Sequence, residues 1–473
     1  MDSHSVISLK SLAMGLLAAG LIACGSDSDR NPPPTDPSRA QDERTFTIDE
    51  TSLPFEVQEG HQNASRWWGV RPSGAGYRME VPENWNGKLV MYAHGYRGEG
   101  ETLTVSNPSL RAWFLDNGYA WAASSYSTNY YDVRTGVEDT NELALAFNEI
   151  ASANSRDLDP PSKIYITGHS MGGHVTAAAI EQETYDTANN VVHYDGAVPM
   201  CGVVADTLEF NYLAWFTMAA QHLAHTADNS VPPLEGMPAT NFDVDAINAV
   251  LWDEVPTPAT LGTPSEEGEK MMALSRHLSG GERPIADIGF RTYYWGVVMG
   301  TGGRDGTVNG ILADNLTGNA GVTYQFDNDP ALTAEEQAFN DTILRVEENP
   351  AANGLRSDGL RWIPVLNGEF TIPVVSLQGL GDLYVPFRHA QIYRERATAN
   401  GSDTWLVQRA LRSPGHCDFT QEEQEAAFAD MIDWEQNSVK PTGDEILDPA
   451  TVASPNYGCQ FTSEDRPGLP TCS

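Results

Sequence analysis

The chain has 473 residues, of which 40% are hydrophobic and 9% aromatic, so it is long and apolar enough to bury a substantial core. With 65 acidic residues against 28 lysines and arginines, its formal net charge is −37. A field of that sign repels nucleic-acid phosphates, so no nucleic acid is expected as a partner, and neutral or cationic substrates suit such a surface better.

The first 23 residues are typical of a secretion signal. Lys10 precedes the apolar run LAMGLLAAGLIA, which is too short and too weakly flanked for a stable membrane span. The residues Leu21-Ile22-Ala23-Cys24 resemble the lipobox of bacterial lipoproteins, in which the cysteine is acylated and becomes the new N-terminus. The resemblance implies a signal peptide at 1–23, a membrane anchor through lipid on Cys24 and a location in the bacterial cell envelope. In these lipoproteins an Asp directly after the cysteine retains the protein in the inner membrane, so Gly25 at that position favours the outer membrane. The alternative is an ordinary cleaved signal with an incidental cysteine.

Residues 24–44 are rich in Ser, Asp and Pro and predict a flexible tether, because such a segment cannot build a core. Four cysteines follow Cys24, namely Cys201, Cys417, Cys459 and Cys472. Outside the cytoplasm, this even set predicts two disulfides, for which three connectivities exist.

Residues 45–204 predict the first part of a sheet-based core. The runs TFTIDE, SRWWGVRP and AGYRMEVPENW, broken by Gly, Pro and Asn, indicate antiparallel edge strands. Strands are then predicted at KLVMYAHGY, YAWAASSYS, SKIYITGHS and VHYDGAVPMCGVV, and helices between them at SLRAWFLDNG, VEDTNELALAFNEIASA and MGGHVTAAAIEQ. This alternation indicates an α/β fold whose mostly parallel sheet is covered by helices on both faces.

Between residues 205 and 370 the alternation stops, and the pattern predicts a large, mainly helical insertion. Its helical segments are TLEFNYLAWFTMAAQHLA, EEGEKMMALSRHLS and TAEEQAFNDTILRVEE. Residues 371–436 restore the core pattern with strands at TIPVVSLQG and TWLVQRAL and helices at FRHAQIYRERA and TQEEQEAAFADMIDWEQ, the last with a capping box of Thr420 and Glu423. The tail, 437–473, has no clear periodicity.

The segment Gly168-His169-Ser170-Met171-Gly172 fits the pattern G-x-S-x-G, with a predicted strand before it and a predicted helix after it. In that setting a sharp turn lifts the serine hydroxyl above the carboxyl edge of the sheet, and the glycines avoid clashes on either side of the turn. Ser170 is therefore predicted to be a nucleophile. The alternative is a glycine-rich turn that serves packing alone.

These motifs resemble the α/β-hydrolase family over 88–201 and 371–436. The resemblance implies the α/β-hydrolase fold with 205–370 as a cap, and a triad in the order Ser, acid, His. Asp382 in GLGDLYVP is similar to the family's acid turn, and His416 in SPGHCDF lies where the family keeps its base. Asp195 and Asp206 are the alternative acids. His169 and His174 flank the serine and are expected to pack or to support the site.

The resemblance also implies an oxyanion hole and a disulfide pairing. The backbone N–H groups of Met171 and of Tyr96, in YAHGYRG, are the expected oxyanion donors. Both Cys201 and Cys417 follow strands that deliver their carboxyl ends to one edge of this fold, so a Cys201–Cys417 bridge is expected, with Cys459–Cys472 in the tail. Cys417–Cys459 is the main competing connectivity.

The function that these expectations indicate is a lipid-anchored serine hydrolase that cleaves small or polymeric carboxylic esters through an acyl-enzyme on Ser170. An amidase or aminopeptidase with the same triad is the alternative within catalysis, and a non-catalytic surface lipoprotein is the alternative outside it. No cofactor or metal is assigned, because His222 and His225 lack a third ligand signature for zinc and the acidic loops GTGGRDGTVNG and DNDPALTAEEQ do not fit EF-hand spacing. Calcium bound by these acidic loops is the alternative.

Overall fold

Eight strands form the central sheet of the computed structural model, which describes residues 36, 38–301, 317–327, 331–463 and 466–472. The strands are β1 (Ser65–Val70), β2 (Gly76–Val81), β3 (Lys88–Ala93), β4 (Ala120–Ser124), β5 (Lys163–His169), β6 (Gly196–Met200), β7 (Val374–Gly379) and β8 (Leu406–Leu411). Their order across the sheet is β1-β2-β4-β3-β5-β6-β7-β8. The β1–β2 and β2–β4 pairs are antiparallel, and the other pairs are parallel. The predicted α/β-hydrolase fold is confirmed. The predicted signal peptide and Cys24 lie outside the described residues.

Register aligns the carboxyl ends of the parallel strands at one edge. Gly168 of β5 pairs with Ala93 of β3 on one side and with Pro199 of β6 on the other. These strands are buried over most of their length because helices cover both faces of the sheet. The loops that follow β3, β5, β6 and β7 therefore meet above the same edge.

In the described part of the chain before the insertion, the α-helices are α1 (Arg111–Asp116), α2 (Val133–Leu145), α3 (Phe147–Ala153), α4 (Met171–Ala178) and α5 (Gln182–Thr187). The prediction of one helix over VEDTNELALAFNEIASA was wrong in one respect, because α2 ends at Leu145 and α3 starts at Phe147. The apolar period continues across the break, since Leu143, Phe147 and Ile150 are all buried. Periodicity therefore could not reveal it.

The N-terminal part of the described chain corrects two expectations. The strand in TFTIDE is only Thr47–Ile48, which pairs in parallel with Thr102–Leu103 in a separate two-stranded sheet. It lies against the central sheet, because a Cβ added to Gly76 would meet Ile48 Cδ1 at 1.9 Å. Arg39 and Gln41, assigned to the tether, pack on the core: they are 5% and 2% exposed, and Arg39 Nη2 donates to Asp132 Oδ2 at 2.8 Å. The composition of the segment could not reveal this contact, because Asp132 is distant along the chain.

The segment between β6 and β7 contains α6 (Leu208–Ala227), α7 (Val244–Leu251), α8 (Glu266–Leu278), α9 (Ala286–Tyr293), a π-helical turn (Tyr294–Val298) and α10 (Ala334–Thr342). These helices share a hydrophobic core of their own, in which Phe216 and Met271 are completely buried. The helix predicted over TAEEQAFNDTILRVEE ends early, at Thr342. Ile343 turns to an extended backbone and is buried, and Arg345 Nη1 donates to the carbonyls of Asn319 and Val322.

After β7 the chain forms α11 (Arg388–Ala399), α12 (Gln421–Asn437) and the short α13 (Pro449–Val452). The predicted capping box of Thr420 and Glu423 is present at the start of α12. The tail covers the edge strand β8, where Asp444 N donates to Gln408 O and Asp444 Oδ2 accepts from Ala410 N, both at 2.8 Å. Across the described part of the chain, no helix combines the length and the apolar character needed to cross a membrane.

Candidate active site

Ser170 lies at the junction between β5 and α4, at the carboxyl edge of the sheet. Its backbone has φ 59° and ψ −124°, a conformation that a residue with a side chain rarely adopts. Such a strained turn is the expected geometry of a nucleophile elbow, which projects the hydroxyl away from the sheet.

The glycines two residues before and after Ser170 make the elbow sterically feasible. A Cβ added to Gly168 would lie 2.4 Å from Gly172 O, and one added to Gly172 would lie 2.1 Å from Ala93 O. Both neighbours are backbone atoms of packed elements, so neither can move aside cheaply. The sequence pattern G-x-S-x-G is therefore explained by close approach of β3, β5 and α4.

Asp382 and His416 form a close pair above the same edge. Asp382 follows β7 and has no exposed surface. Its Oδ1 accepts the backbone N–H groups of Tyr384 and Val385, and its Oδ2 lies 2.6 Å from His416 Nδ1. Because the ionised carboxylate only accepts, His416 donates from Nδ1, which leaves Nε2 free of a proton in the neutral ring.

The surroundings of His416 tune its basicity. Burial lowers the pKa of His416, but the negative charge of Asp382 and the hydrogen bond to it outweigh burial, so the pKa lies above the ordinary value of 6.5. A base with this environment is neutral, and can accept a proton, only on the alkaline side of that raised value.

Ser170 and His416 line one cavity of about 410 Å³. Its wall is mostly apolar and aromatic, and α6 contributes Phe210 and Leu213 from the segment between β6 and β7. The ring of Tyr384 lies 5.6 Å from that of His416. The complete lining is Gly95, Tyr96, Tyr131, Ser170, Val203, Glu209, Phe210, Leu213, Thr301, Tyr384, Val385, His416 and Cys417. Such a cavity can hold an apolar group beside the serine hydroxyl.

The loop after β3 touches the elbow. A Cβ added to Gly95 would lie 3.2 Å from both Ser170 Cβ and His169 O, so glycine permits this approach. Tyr96 then lines the cavity, while Met171 begins α4 directly after the serine. The two predicted oxyanion donors thus flank Ser170, and their role remains a prediction.

Disulfides join Cys201 to Cys417 and Cys459 to Cys472, with Cα atoms 5.3 Å and 5.5 Å apart. These are the connectivities expected from the resemblance, and Cys417–Cys459 is not formed. The first bridge ties the residue after His416 to the end of β6. The base is therefore held against the sheet by a covalent link one residue away.

The alternative acids lie elsewhere. Asp195 accepts from Lys163 Nζ at 2.8 Å and from Ile164 N at 2.9 Å, at the start of β5 and thus at the opposite edge of the sheet. Asp206 is buried and forms an ion pair with Arg396. Neither carboxylate contacts His416 within hydrogen-bonding distance in the described chain.

The other histidines near the serine point away from it. His169 Nε2 lies 3.1 Å from Gln424 Oε1. His174 is completely buried, with Nε2 2.9 Å from Pro364 O and Nδ1 3.0 Å from the hydroxyl of Tyr131. Burial lowers the pKa of each ring to about 4, so both are neutral at ordinary pH. They support the site and do not compete with His416 as base.

Sequence reasoning missed two supports of the histidine loop. The ring of Tyr293, at the end of α9, packs 5.2 Å from the ring of Tyr384, which lies 5.6 Å from the ring of His416. Gln424 Nε2, on α12, donates to Phe419 O at 3.1 Å. Neither residue belongs to a catalytic motif: Tyr293 and Tyr384 meet only in the folded chain, and so do Gln424 Oε1 and its partners Ser109 and His169. Within the residues that the structure describes, no three His, Cys, Asp or Glu side chains group as metal ligands would.

Comparisons with known proteins give a distant hydrolase relative. No protein-family model matches the chain. An o-phthalyl amidase of Xanthobacter agilis is 24% identical over 409 residues, which span 77% of this chain and 86% of the relative. Together with the fold, it supports a hydrolase.

Solved structures with similar chain traces include feruloyl esterase B from Aspergillus oryzae, with 13% identity, a TM-score of 0.43 and coverage of 82% of this chain and 85% of that one. A tannin acyl hydrolase from Aspergillus niger has 13% identity and a TM-score of 0.38, over 83% and 87% of the two chains.

Proposed function

We propose that this chain is a serine hydrolase that cleaves carboxylic esters through an acyl-enzyme on Ser170. The observation that carries the proposal is the Asp382–His416 pair, joined at 2.6 Å, which opens on the same cavity as the strained elbow serine. A nucleophile needs a base, and the base needs an orienting carboxylate, so the three groups together supply the chemistry of acyl transfer.

The catalytic steps follow from these groups. Ser170 Oγ attacks the ester carbonyl while His416 Nε2 takes the hydroxyl proton, and Asp382 stabilises the imidazolium that forms. The N–H groups of Tyr96 and Met171 stabilise the oxyanion, and His416 then returns the proton to the departing alkoxide. A water molecule, deprotonated by His416, hydrolyses the acyl-enzyme and releases the acid and Ser170. The apolar wall suits an aromatic or alkyl group next to the scissile carbonyl.

Amide hydrolysis is the second candidate. The observation that favours it is the o-phthalyl amidase relative, which covers most of both chains. The same triad serves both reactions. An amide is harder to cleave, because its carbonyl is less electrophilic than that of an ester and its amine must be protonated before it can leave. Esters are therefore expected to react faster.

Matched substrates test the proposal directly. Purified full-length chain is assayed with p-nitrophenyl benzoate and butyrate and with the corresponding p-nitroanilides, beside Ser170→Ala. The proposal expects hydrolysis of the esters, slower hydrolysis of the anilides, and no turnover by the variant. Faster turnover of the anilides would favour the amidase, and ester turnover by Ser170→Ala would refute the acyl-enzyme on that serine.

We also propose that lipid on Cys24 anchors the enzyme to the outer membrane of a bacterial envelope. Two disulfides in the chain support an oxidising compartment outside the cytoplasm. In cells fed labelled palmitate, the full chain is expected to incorporate label and fractionate with outer membranes, whereas Cys24→Ser is expected to do neither. Labelled Cys24→Ser would contradict the assignment of the anchor.

A further inference from the structure

One side-chain amide connects the two halves of the candidate site. Gln424 lies in the first turns of α12 and is 6% exposed. Its Oε1 accepts from Ser109 Oγ at 2.6 Å and lies 3.1 Å from His169 Nε2. Its Nε2 donates to Phe419 O at 3.1 Å. Gln424 therefore contacts three chain segments that are far apart in sequence.

Two of these segments carry the reacting groups. His169 is the residue directly before Ser170, at the end of β5. Phe419 follows His416 by three residues, and its N–H donates to Cys417 O at 2.9 Å, which closes the loop. A hydrogen-bonded path thus runs from the elbow through Gln424 to the histidine loop.

The direction of each hydrogen bond is determined by the partners. Phe419 O can only accept, so the nitrogen of the Gln424 amide must face it and the oxygen must face His169 and Ser109. His169 consequently donates from Nε2. Its Nδ1 faces the hydroxyl of Tyr92 at 3.5 Å. Burial lowers the pKa of His169 to about 4, which keeps this neutral form populated at ordinary pH.

We propose that Gln424 is a positioning residue, which sets the separation of the Ser170 hydroxyl and the His416 imidazole through His169 on one side and Phe419 on the other. The inference rests on the proposed serine hydrolase and adds a residue that no catalytic motif contains. Gln424 does not line the cavity. Its loss therefore misplaces the reacting groups without removing a substrate contact, and misplacement of about 1 Å can cost roughly 10²-fold in rate.

Gln424→Met tests the proposal, because methionine keeps the length and approximate volume of the side chain and removes all three hydrogen bonds. The expected result is a fall in kcat of about 10- to 100-fold with KM within about twofold, and an equal slowing of fluorophosphonate labelling at Ser170. Gln436→Met is the matched control. It makes the same change in the same helix, at an exposed residue whose amide donates to the Tyr165 hydroxyl and to neither loop, and its kcat should stay within about twofold of the parent.

A double variant shows whether Gln424 and His169 act through the same link or whether each substitution lowers activity independently by destabilising the fold. His169→Phe breaks the elbow side of the same link, so Gln424→Met combined with His169→Phe should be no slower than the slower single variant.

Gln424→Glu covers the case in which Gln424→Met does not fold, since its carboxylate keeps the acceptor oxygens but cannot donate to Phe419 O. It should lose at least about tenfold in kcat.

Three results would overturn the inference: a Gln424→Met or Gln424→Glu enzyme with unchanged kcat, a loss expressed mainly in KM, or single losses that multiply in the double variant. If Ser170→Ala is inert in the same assay, such a result overturns only the role of Gln424. If Ser170→Ala still turns over substrate, the proposed function itself fails.

Discussion

At the scale of single residues, Asp382 combines complete burial with three accepted hydrogen bonds, two from backbone and one from His416. Both carboxylate oxygens thus have partners, so the orientation of the side chain is fixed. An amide in its position would offer an N–H group to one of these donors. The tautomer of His416 therefore depends on the identity of this one side chain.

Asp382→Asn is predicted to lower kcat/KM by roughly 10⁴-fold, because the histidine loses both its proton acceptor at Nδ1 and the stabilising charge. Circular dichroism should remain that of the parent chain, since the side chains are nearly isosteric. Ester hydrolysis within about tenfold of the parent rate would point away from this triad and toward another acid.

The pH dependence of activity follows from the raised pKa of His416. The base must be neutral, so kcat/KM should rise with pH and reach half of its plateau above pH 6.5, the ordinary value for a histidine. A profile from pH 5 to 9 with an uncharged ester measures this midpoint. A midpoint below 6.5 would mean that burial outweighs the charge of Asp382.

At the scale of elements, the elbow depends on close contact between β3, β5 and α4. Gly172→Ala is predicted to destabilise the fold by about 3 kcal/mol or more, because its Cβ would lie 2.1 Å from Ala93 O. Gly100→Ala is the control, since a Cβ there meets nothing within 4 Å. Thermal unfolding of both variants checks the prediction, and equal melting temperatures would contradict it.

The Cys201–Cys417 bridge acts on the histidine loop. Replacing both cysteines by serine is predicted to lower kcat and to reduce stability by about 2–4 kcal/mol, because the bridge closes a long chain segment and holds the residue after His416. Replacing Cys459 and Cys472 together should spare kcat, since that bridge lies in the tail. Equal activity losses in the two double variants would show that the first bridge has no special role.

The elements could be predicted where local pattern decides the structure. The strand before Ser170, the elbow and the capping box at Thr420 follow from β-branched residues, glycines and a Thr–Glu pair close in sequence. The break between α2 and α3 and the early end of α10 could not, because buried residues continue through both. Tyr293 and Gln424 could not be predicted either, since Tyr384, Ser109 and His169, which they contact, are distant along the chain.

At the scale of the whole molecule, the net charge of −37 makes the folded chain repel itself. Added salt screens such repulsion, because the Debye length falls from about 10 Å at 0.1 M to about 3 Å at 1 M. The melting temperature is therefore predicted to rise as sodium chloride is added from low to molar concentration. A constant or falling melting temperature would mean that local ion pairs such as Arg39–Asp132 outweigh the global repulsion.

The segment between β6 and β7 supplies part of the wall of the cavity beside Ser170. Its insertion between two adjacent strands could be predicted from the interrupted alternation, and its helices from their apolar period. The arrangement of α6 over the elbow could not, because it depends on how Phe210 and Leu213 pack around the cavity. The residues that line the cavity come from segments that are distant in sequence, so they are known only from the folded structure.

Covalent labelling tests directly whether Ser170 is the nucleophile. The full-length chain is treated with a fluorophosphonate probe beside Ser170→Ala, and the modified peptide is identified by mass spectrometry. One adduct is expected, on Ser170, formed faster as pH rises through the titration of His416, and no adduct is expected on the variant. An adduct on another serine, or equal labelling of Ser170→Ala, would contradict this expectation.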